Sequence, residues 1–120
     1  MDIIFILGRI LVGGYFVYSG YNHFAHIKNL TGYAASKKVP LPKISILFTG
    51  LLLVLGGAYI GFWQYVDLGA VFLIVFLVPT TIMMHDFWNE KDSMAKMNSQ
   101  IGFSKNVALI GFLLILLSKF

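Results

Sequence analysis

The chain has 120 residues, of which 58% are hydrophobic and only 12% are charged. Soluble domains carry about 25% charged residues, and a short chain buries too little surface to hide so much apolar material. The composition therefore excludes a soluble globular domain and indicates an integral membrane protein. Cysteine is absent, which excludes thiol redox chemistry and thiolate metal sites. The net charge of +4 is interpreted as a signal for topology and lipid contact, with no nucleic-acid partner.

The N-terminal apolar segment predicts a first membrane span over residues 3–24. Asp2 precedes this segment, Arg9 lies inside it, and no small-residue cleavage site follows. We therefore interpret it as a retained helix and not as a cleavable signal. The four glycines within it favour close contact between helices in a bilayer.

The first loop, residues 25–43, is basic and ends in two prolines. Its apolar residues follow a helical spacing, which predicts a short interfacial helix. The second span is predicted over residues 44–62. Within it, Gly57 and Gly61 form a GxxxG pair, which favours close helix packing and allows a homodimer through this face.

The third span is predicted over residues 67–86 and contains the most apolar stretch of the chain. The 17 residues from Leu68 to Met84 carry no charge. At about 1.5 Å per residue they nearly cross a hydrocarbon core of about 30 Å. Pro79 lies inside this span and predicts a kink. The run His85-Asp86-Phe87-Trp88 then supplies the ionisable and aromatic side chains that are favoured at a membrane–water interface.

The fourth span is predicted over residues 101–118, after a polar loop. Its continuously apolar part, Val107 to Leu117, has only eleven residues, so the span must extend upstream with Lys105 snorkelling to the interface. The predicted fold is thus all-α: a polytopic membrane protein whose four transmembrane helices form an antiparallel bundle. One domain covers residues 1–120.

Four spans place both termini on one side of the membrane and the loops 25–43 and 87–105 on the other. Seven of the nine Lys and Arg residues belong to the loop side. The positive-inside rule therefore predicts cytoplasmic loops and external termini. We expect a multi-pass protein of a bacterial-type inner (plasma) membrane.

This topology gathers all three histidines at the loop-side face. His23 and His26 end the first span one helical turn apart, and His85 ends the third. The candidate ligand-binding residues are Asn22, His23, His26, His85, Asp86 and Trp88. Four alternatives remain open: a quinone or another small organic ligand, a metal, a proton-relay pair, and plain interfacial residues. No catalytic residue and no metal ligand is assigned, because Asp86 is the one carboxylate in the cluster.

Arg9 lies about two turns inside the first span, where an unpaired charge is costly. Apart from Asp2, the acidic residue on the same side of the membrane is Asp67, at the start of the third span. We therefore predict a structural ion pair between Arg9 and Asp67. The alternative is that Arg9 snorkels to the lipid headgroups alone.

The order and spacing of several motifs resemble the DoxX family of small four-helix membrane proteins. The matching residues within positions 5–90 are Gly8-Arg9-Ile10-Leu11-Val12-Gly13, Ser19-Gly20-Tyr21-Asn22-His23-Phe24, Gly32-Tyr33-Ala34-Ala35, Lys38-Val39-Pro40-Leu41-Pro42, Gly50, Gly56-Gly57 and His85-Asp86-Phe87-Trp88. The chain departs from the family pattern at two positions. His23 stands where a Lys or Arg is usual, and Leu53 stands where a Glu is frequent.

The resemblance implies a role beside redox proteins. Some members are described as membrane subunits of thiosulfate:quinone oxidoreductase, and others are tied to redox or oxidative-stress partners. Without cysteine, such a role would depend on a quinone, another bound cofactor or a partner subunit. We therefore expect an accessory or quinone-contacting subunit of a membrane redox complex. The alternatives are a small-molecule binding or transport protein with its cavity at the face of His23, His26 and His85, and a metal-dependent membrane enzyme.

Overall fold

The structure is a computed structural model that describes residues 2–119. The helices of this part of the chain are α1 (Ile3–Ala25), α2 (Ile27–Ser36), α3 (Pro42–Gly61), α4 (Val66–Met84) and α5 (Ser93–Leu117), with a short 3₁₀ turn at Phe87–Asn89. Four of them, α1, α3, α4 and α5, are long and apolar enough to cross a membrane. The all-α fold with four membrane-spanning helices is therefore confirmed, and α2 forms within the first loop as the periodicity predicted.

Glycines bring α1 and α3 together in an antiparallel pair. A Cβ atom on Gly13 would lie 2.6 Å from the carbonyl oxygen of Gly57, and one on Gly20 would lie 2.7 Å from that of Gly50. Backbone meets backbone at these positions, so no side chain fits between the helices. Gly13 precedes Gly20 in α1, whereas their partners occur in the reverse order in α3. The two helices are therefore antiparallel, as expected of consecutive membrane spans.

The GxxxG pair of α3 is used in this contact within the chain. Gly57 faces Gly13 and Val17, and Gly61 lies against Gly13. A second copy could therefore reach this face only by displacing α1. The homodimer that the GxxxG pair allowed would require a different surface.

The core is centred between α3 and α4, with α1 packed on α3 and α5 packed on α4. Its fully buried side chains include Phe16, Leu53, Leu73, Leu77 and Leu113. Leu53, at the position where the family often has a Glu, is 0% exposed and packs in this apolar core. The large hydrophobic side chains on the outer surface of the bundle are exposed, which suits lipid as the surrounding solvent.

α5 begins well before the predicted fourth span. The predicted span starts at residue 101, but the helix starts at Ser93. Asp92 is the N-cap, and its Oδ2 accepts a hydrogen bond from the amide of Ala95 at 2.9 Å. Hydropathy detects the part of a helix that lies in lipid, whereas the capping side chain fixes where the helix starts. Much of the predicted polar loop is therefore helical.

Candidate functional site

A cavity of about 420 Å³ lies at the loop-side end of the bundle. Its walls come from the end of α1, the start of α3 and the end of α4, and α2 covers it with Tyr33 and Ala34. The lining is mostly apolar, with Phe76, Pro79 and Met83 from α4. Pockets for small organic molecules have volumes of about 300–1,000 Å³ and this mainly apolar character. The cavity is therefore large enough for the head of such a ligand.

His23 places an imidazole in the cavity wall with a defined tautomer. Its Nδ1 is 2.9 Å from the carbonyl oxygen of Ser19, one turn earlier in α1. Because a carbonyl can only accept, Nδ1 donates, and the neutral ring keeps Nε2 as an acceptor. The ring packs edge-on against Phe76, with 5.7 Å between ring centroids. His23 can thus accept a hydrogen bond from a ligand hydroxyl.

His85 enters the cavity from the end of α4 and rests on α5. A Cβ atom on Gly102 would lie 2.5 Å from Nδ1 of His85, so only glycine leaves room for the ring there. Within residues 2–119, neither ring nitrogen of His85 has a hydrogen-bond partner. The neutral imidazole carries one donor and one acceptor nitrogen, and its Nδ1 edge faces α5.

The polar lining also includes the hydroxyl groups of Tyr33, Ser45, Thr49 and Thr80. Ser45 donates to the carbonyl of Pro40, and Thr49 donates to the carbonyl of Ser45, both at 2.7 Å. Their oxygens consequently face a ligand as acceptors. The Tyr33 hydroxyl lies 3.4 Å from the carbonyl oxygen of Met84, a long hydrogen bond that a better acceptor could replace. Together with His85, Tyr33 gives the α4 side of the cavity its donors.

An ion-pair cluster, which we call the Lys37 latch, ties α2 to the segment after α4. The Nζ atom of Lys37 is 2.7 Å from Oδ1 of Asp86 and 2.8 Å from Oε1 of Glu90. The three side chains are only 14%, 16% and 24% exposed. The hydrogen bonds to Asp86 and then Glu90 raise the pKa of Lys37 well above its ordinary value. The first and third loops therefore lie at the same end of the bundle, as four spans require.

The other predicted site residues lie around the cavity and not in its lining. His26 is exposed at the junction of α1 and α2, and its amide donates to the carbonyl of Asn22 at 2.9 Å. Trp88 is 51% exposed and packs edge-on against Phe103. Asp86 belongs to the Lys37 latch. Of the candidate residues, the structure brings only the other two histidines into the cavity wall.

Sequence reasoning missed Tyr33, Thr49, Lys37 and Gly102. Tyr33, Thr49 and Lys37 were missed because α2 was placed on the membrane surface and not folded back over the ends of α3 and α4. Gly102 was missed because the sequence pattern does not specify the register of α5 against the end of α4. The charged residues of the two loops contained a signal that could have predicted the Lys37 contact. A lysine at the end of the short helix and two carboxylates in the third loop share one side of the membrane, and opposite charges there favour contact.

Arg9 and Asp67 each have a contact other than the predicted ion pair. The guanidinium of Arg9 lies over the Phe5 ring, 5.3 Å from its centroid. The Oδ1 atom of Asp67 accepts a hydrogen bond from the amide of Leu68 at 2.9 Å, as an acidic residue does at a helix N-terminus. The Arg9–Asp67 ion pair stays a prediction.

Metal binding finds no geometric support within the described residues. In positions 2–119, no three His, Asp or Glu side chains come close enough to hold an ion together. A protein metal site usually requires three or four converging ligands. The residues that line the cavity supply hydrogen-bonding groups and apolar surface.

These features define a small polytopic membrane protein with a ligand-sized cavity at one membrane face. The DoxX family model matches residues 4–86, more than half of the chain, and the chain belongs to the DoxX family. This match confirms the resemblance found in the sequence. No curated protein and no solved structure matches the chain. The matched region contains every residue that lines the cavity, whereas α5, with Gly102 beneath His85, lies outside it.

Proposed function

We propose that this DoxX protein is a quinone-contacting subunit of a membrane redox complex, and that the quinone head group binds in the cavity beneath α2. The observation that carries the proposal is the combination of donors and acceptors in an otherwise apolar cavity. His85 and Tyr33 supply donors on one side, and Nε2 of His23 supplies an acceptor on the other.

A quinone matches this arrangement in both of its stable forms. The oxidised ring has carbonyl oxygens, which would accept hydrogen bonds from His85 and Tyr33. The reduced ring has hydroxyl groups, one of which would donate to His23. Phe76 and Pro79 offer apolar surfaces for the ring itself. A bound quinone would supply the electron-carrying chemistry, while the chain binds and orients the head group.

The experiment is to extract purified protein with organic solvent and measure the quinone that it carries. We expect about one quinone per chain in the wild type. Each lost hydrogen bond should cost about 1.5 kcal/mol, so His85→Ala and His23→Ala should each bind about tenfold more weakly. His26→Ala is the matched control and should keep wild-type content, since His26 does not line the cavity. Equal losses in all three variants, or in none, would contradict the proposal.

The second candidate is a small-molecule binding or transport protein that uses the same cavity. The Lys37 latch favours it, because release of one ion-pair cluster would free α2 to expose the cavity on the loop side. Uptake of a polar solute into vesicles, with no quinone in the extract, would support this candidate over the first.

We also propose that the protein lies in an inner membrane with both loops in the cytoplasm. The excess of Lys and Arg residues in the two loops supports this orientation. Because the chain has no cysteine, single-cysteine variants can report it directly. In intact cells, Lys28→Cys and Lys91→Cys should resist an impermeant maleimide, and both should react after lysis. Labelling of either variant in intact cells would contradict the proposed orientation.

A further inference from the structure

The cavity beneath α2 is open along one side of the bundle. Of the described residues that line it, three are exposed: Tyr33, Pro40 and Pro79. Tyr33 and Pro40 belong to the first loop and its helix, whereas Pro79 belongs to the membrane-spanning helix α4. At Pro79 the cavity therefore opens through the lateral wall of the bundle.

This opening lies within the apolar part of the membrane. Pro79 is five residues before Met84, the last residue of α4 and of the uncharged stretch 68–84. At a rise of about 1.5 Å per residue, it lies about 8 Å inside that end of the helix. Val75 and Ile82, one turn away on either side, are 51% and 54% exposed, so this surface of α4 faces outwards. The medium outside the opening is therefore lipid.

Along α4, the opening lies between the two polar ends of the cavity. The His23 ring packs against Phe76, three residues before Pro79, with 5.7 Å between ring centroids. The Tyr33 hydroxyl lies 3.4 Å from the carbonyl oxygen of Met84, five residues after Pro79. Along the helix axis, Pro79 is thus about 5 Å from the level of His23 and about 8 Å from that of the Tyr33 hydroxyl.

The shape of a quinone with a chain matches this arrangement. Its two oxygens lie at opposite ends of the ring, and the chain is attached at the side, to a ring carbon next to one of them. When the oxygens bind near His23 and Tyr33, the chain points sideways out of the ring, which is the direction of the opening at Pro79. A long chain would not fit beside the head group in a cavity of about 420 Å³.

We propose that the cavity binds a quinone with a long apolar chain, and that the chain leaves past Pro79 into the surrounding lipid. The proposal rests on the proposed quinone site and adds its entrance and its selectivity. Because the chain stays in the hydrocarbon, the ligand reaches the site from within the membrane and does not pass through water. A quinone without a chain can make the same hydrogen bonds but does not use the opening.

The test compares two quinones with the same head group, one with a methyl group and one with a ten-carbon chain, on the purified full-length protein in detergent micelles. Pro79→Trp places an indole in the opening. It should weaken binding of the ten-carbon quinone at least tenfold, while binding of the methyl quinone changes less than twofold. Pro79→Ala also removes the proline but leaves the opening clear, so it should bind both quinones as the wild type does.

Val78→Trp is the second control. It adds the same indole to α4 at an exposed position that does not line the cavity, and it should change neither affinity.

A second measurement needs no substitution. A photoreactive group on the fifth carbon of the chain should label α3 or α4 beside the opening, for example at Val75. Excess ten-carbon quinone should prevent this labelling.

Three results would overturn the proposal: unchanged binding of the ten-carbon quinone in Pro79→Trp, equal losses of both quinones in that variant, or chain labels on α1 or α5. If the wild type binds the methyl quinone, any of these results removes only the route of the chain and leaves the proposed function intact. If neither quinone binds the wild type, the proposed function fails, and this inference fails with it.

Discussion

Gly13→Ala should lower the free energy of unfolding by about 1–3 kcal/mol, because overpacking a close helix contact forces the backbones apart. The added methyl group would lie 2.6 Å from the carbonyl oxygen of Gly57 and 2.7 Å from the Cα atom of Gly61. Neither atom belongs to a side chain that could rotate away. The measurement is reversible unfolding in mixed micelles with increasing SDS, followed by circular dichroism.

The adjacent glycine is a matched control for this substitution. Gly14 has no atom within 4 Å of a built Cβ, so Gly14→Ala should leave stability nearly unchanged. Both variants add one methyl group to the same helix, and only the direction of the group differs. Equal effects of the two substitutions would mean that α1 does not pack on α3 through Gly13.

Lys37→Met should lower the free energy of unfolding by about 1.5–3 kcal/mol, because hydrogen bonds to charged groups contribute this much. The change removes the cation that Asp86 and Glu90 share and leaves two partly covered carboxylates close together. It should also release α2 from the end of α4. We expect faster amide hydrogen exchange in α2 and faster loss of bound quinone, both measured against the wild type.

Lys28→Met controls for loss of a positive charge from α2, since Lys28 is exposed and is not part of the latch. It should change neither stability nor exchange.

The raised pKa of Lys37 also predicts the pH dependence. A lysine whose pKa is higher in the folded state contributes its full stabilisation at pH values below its pKa in the unfolded chain, which is about 10.4. This contribution is lost only as the pH rises through the pKa of the folded state. The difference between wild type and Lys37→Met should thus be constant from about pH 7 to 10, and a decline within that range would contradict the latch.

The membrane-spanning part of the fold could be predicted from the sequence because hydropathy is a direct physical signal. Apolar runs of sufficient length must cross the bilayer as helices, since lipid offers backbone groups no hydrogen bonds. Because successive spans cross the membrane in alternating directions, the ends of the first and third spans, with His23 and His85, were predicted to lie at the same membrane face. Both rings lie in the wall of one cavity, and the binding of a ligand there stays a prediction.

The shape of the site could not be predicted in the same way. It depends on α2 folding back over α3 and α4, and ten residues of modest amphipathicity do not fix that position. His85, at the end of α4, packs on Gly102 of α5, and the sequence pattern does not specify the register between these two helices. Likewise, the Gly57–Gly61 spacing indicates a close contact but not whether the partner helix is α1 or a second copy.

The most direct test of the account is to map where a photoreactive quinone analogue attaches to the purified protein. Because the head group is proposed to lie beneath α2, labelled peptides should come from the cavity wall near Tyr33, Phe76 and Met83, and excess quinone should prevent labelling. Labelling spread over lipid-facing side chains such as Leu11 and Ile115, unchanged by excess quinone, would contradict the assignment of the cavity as a quinone site.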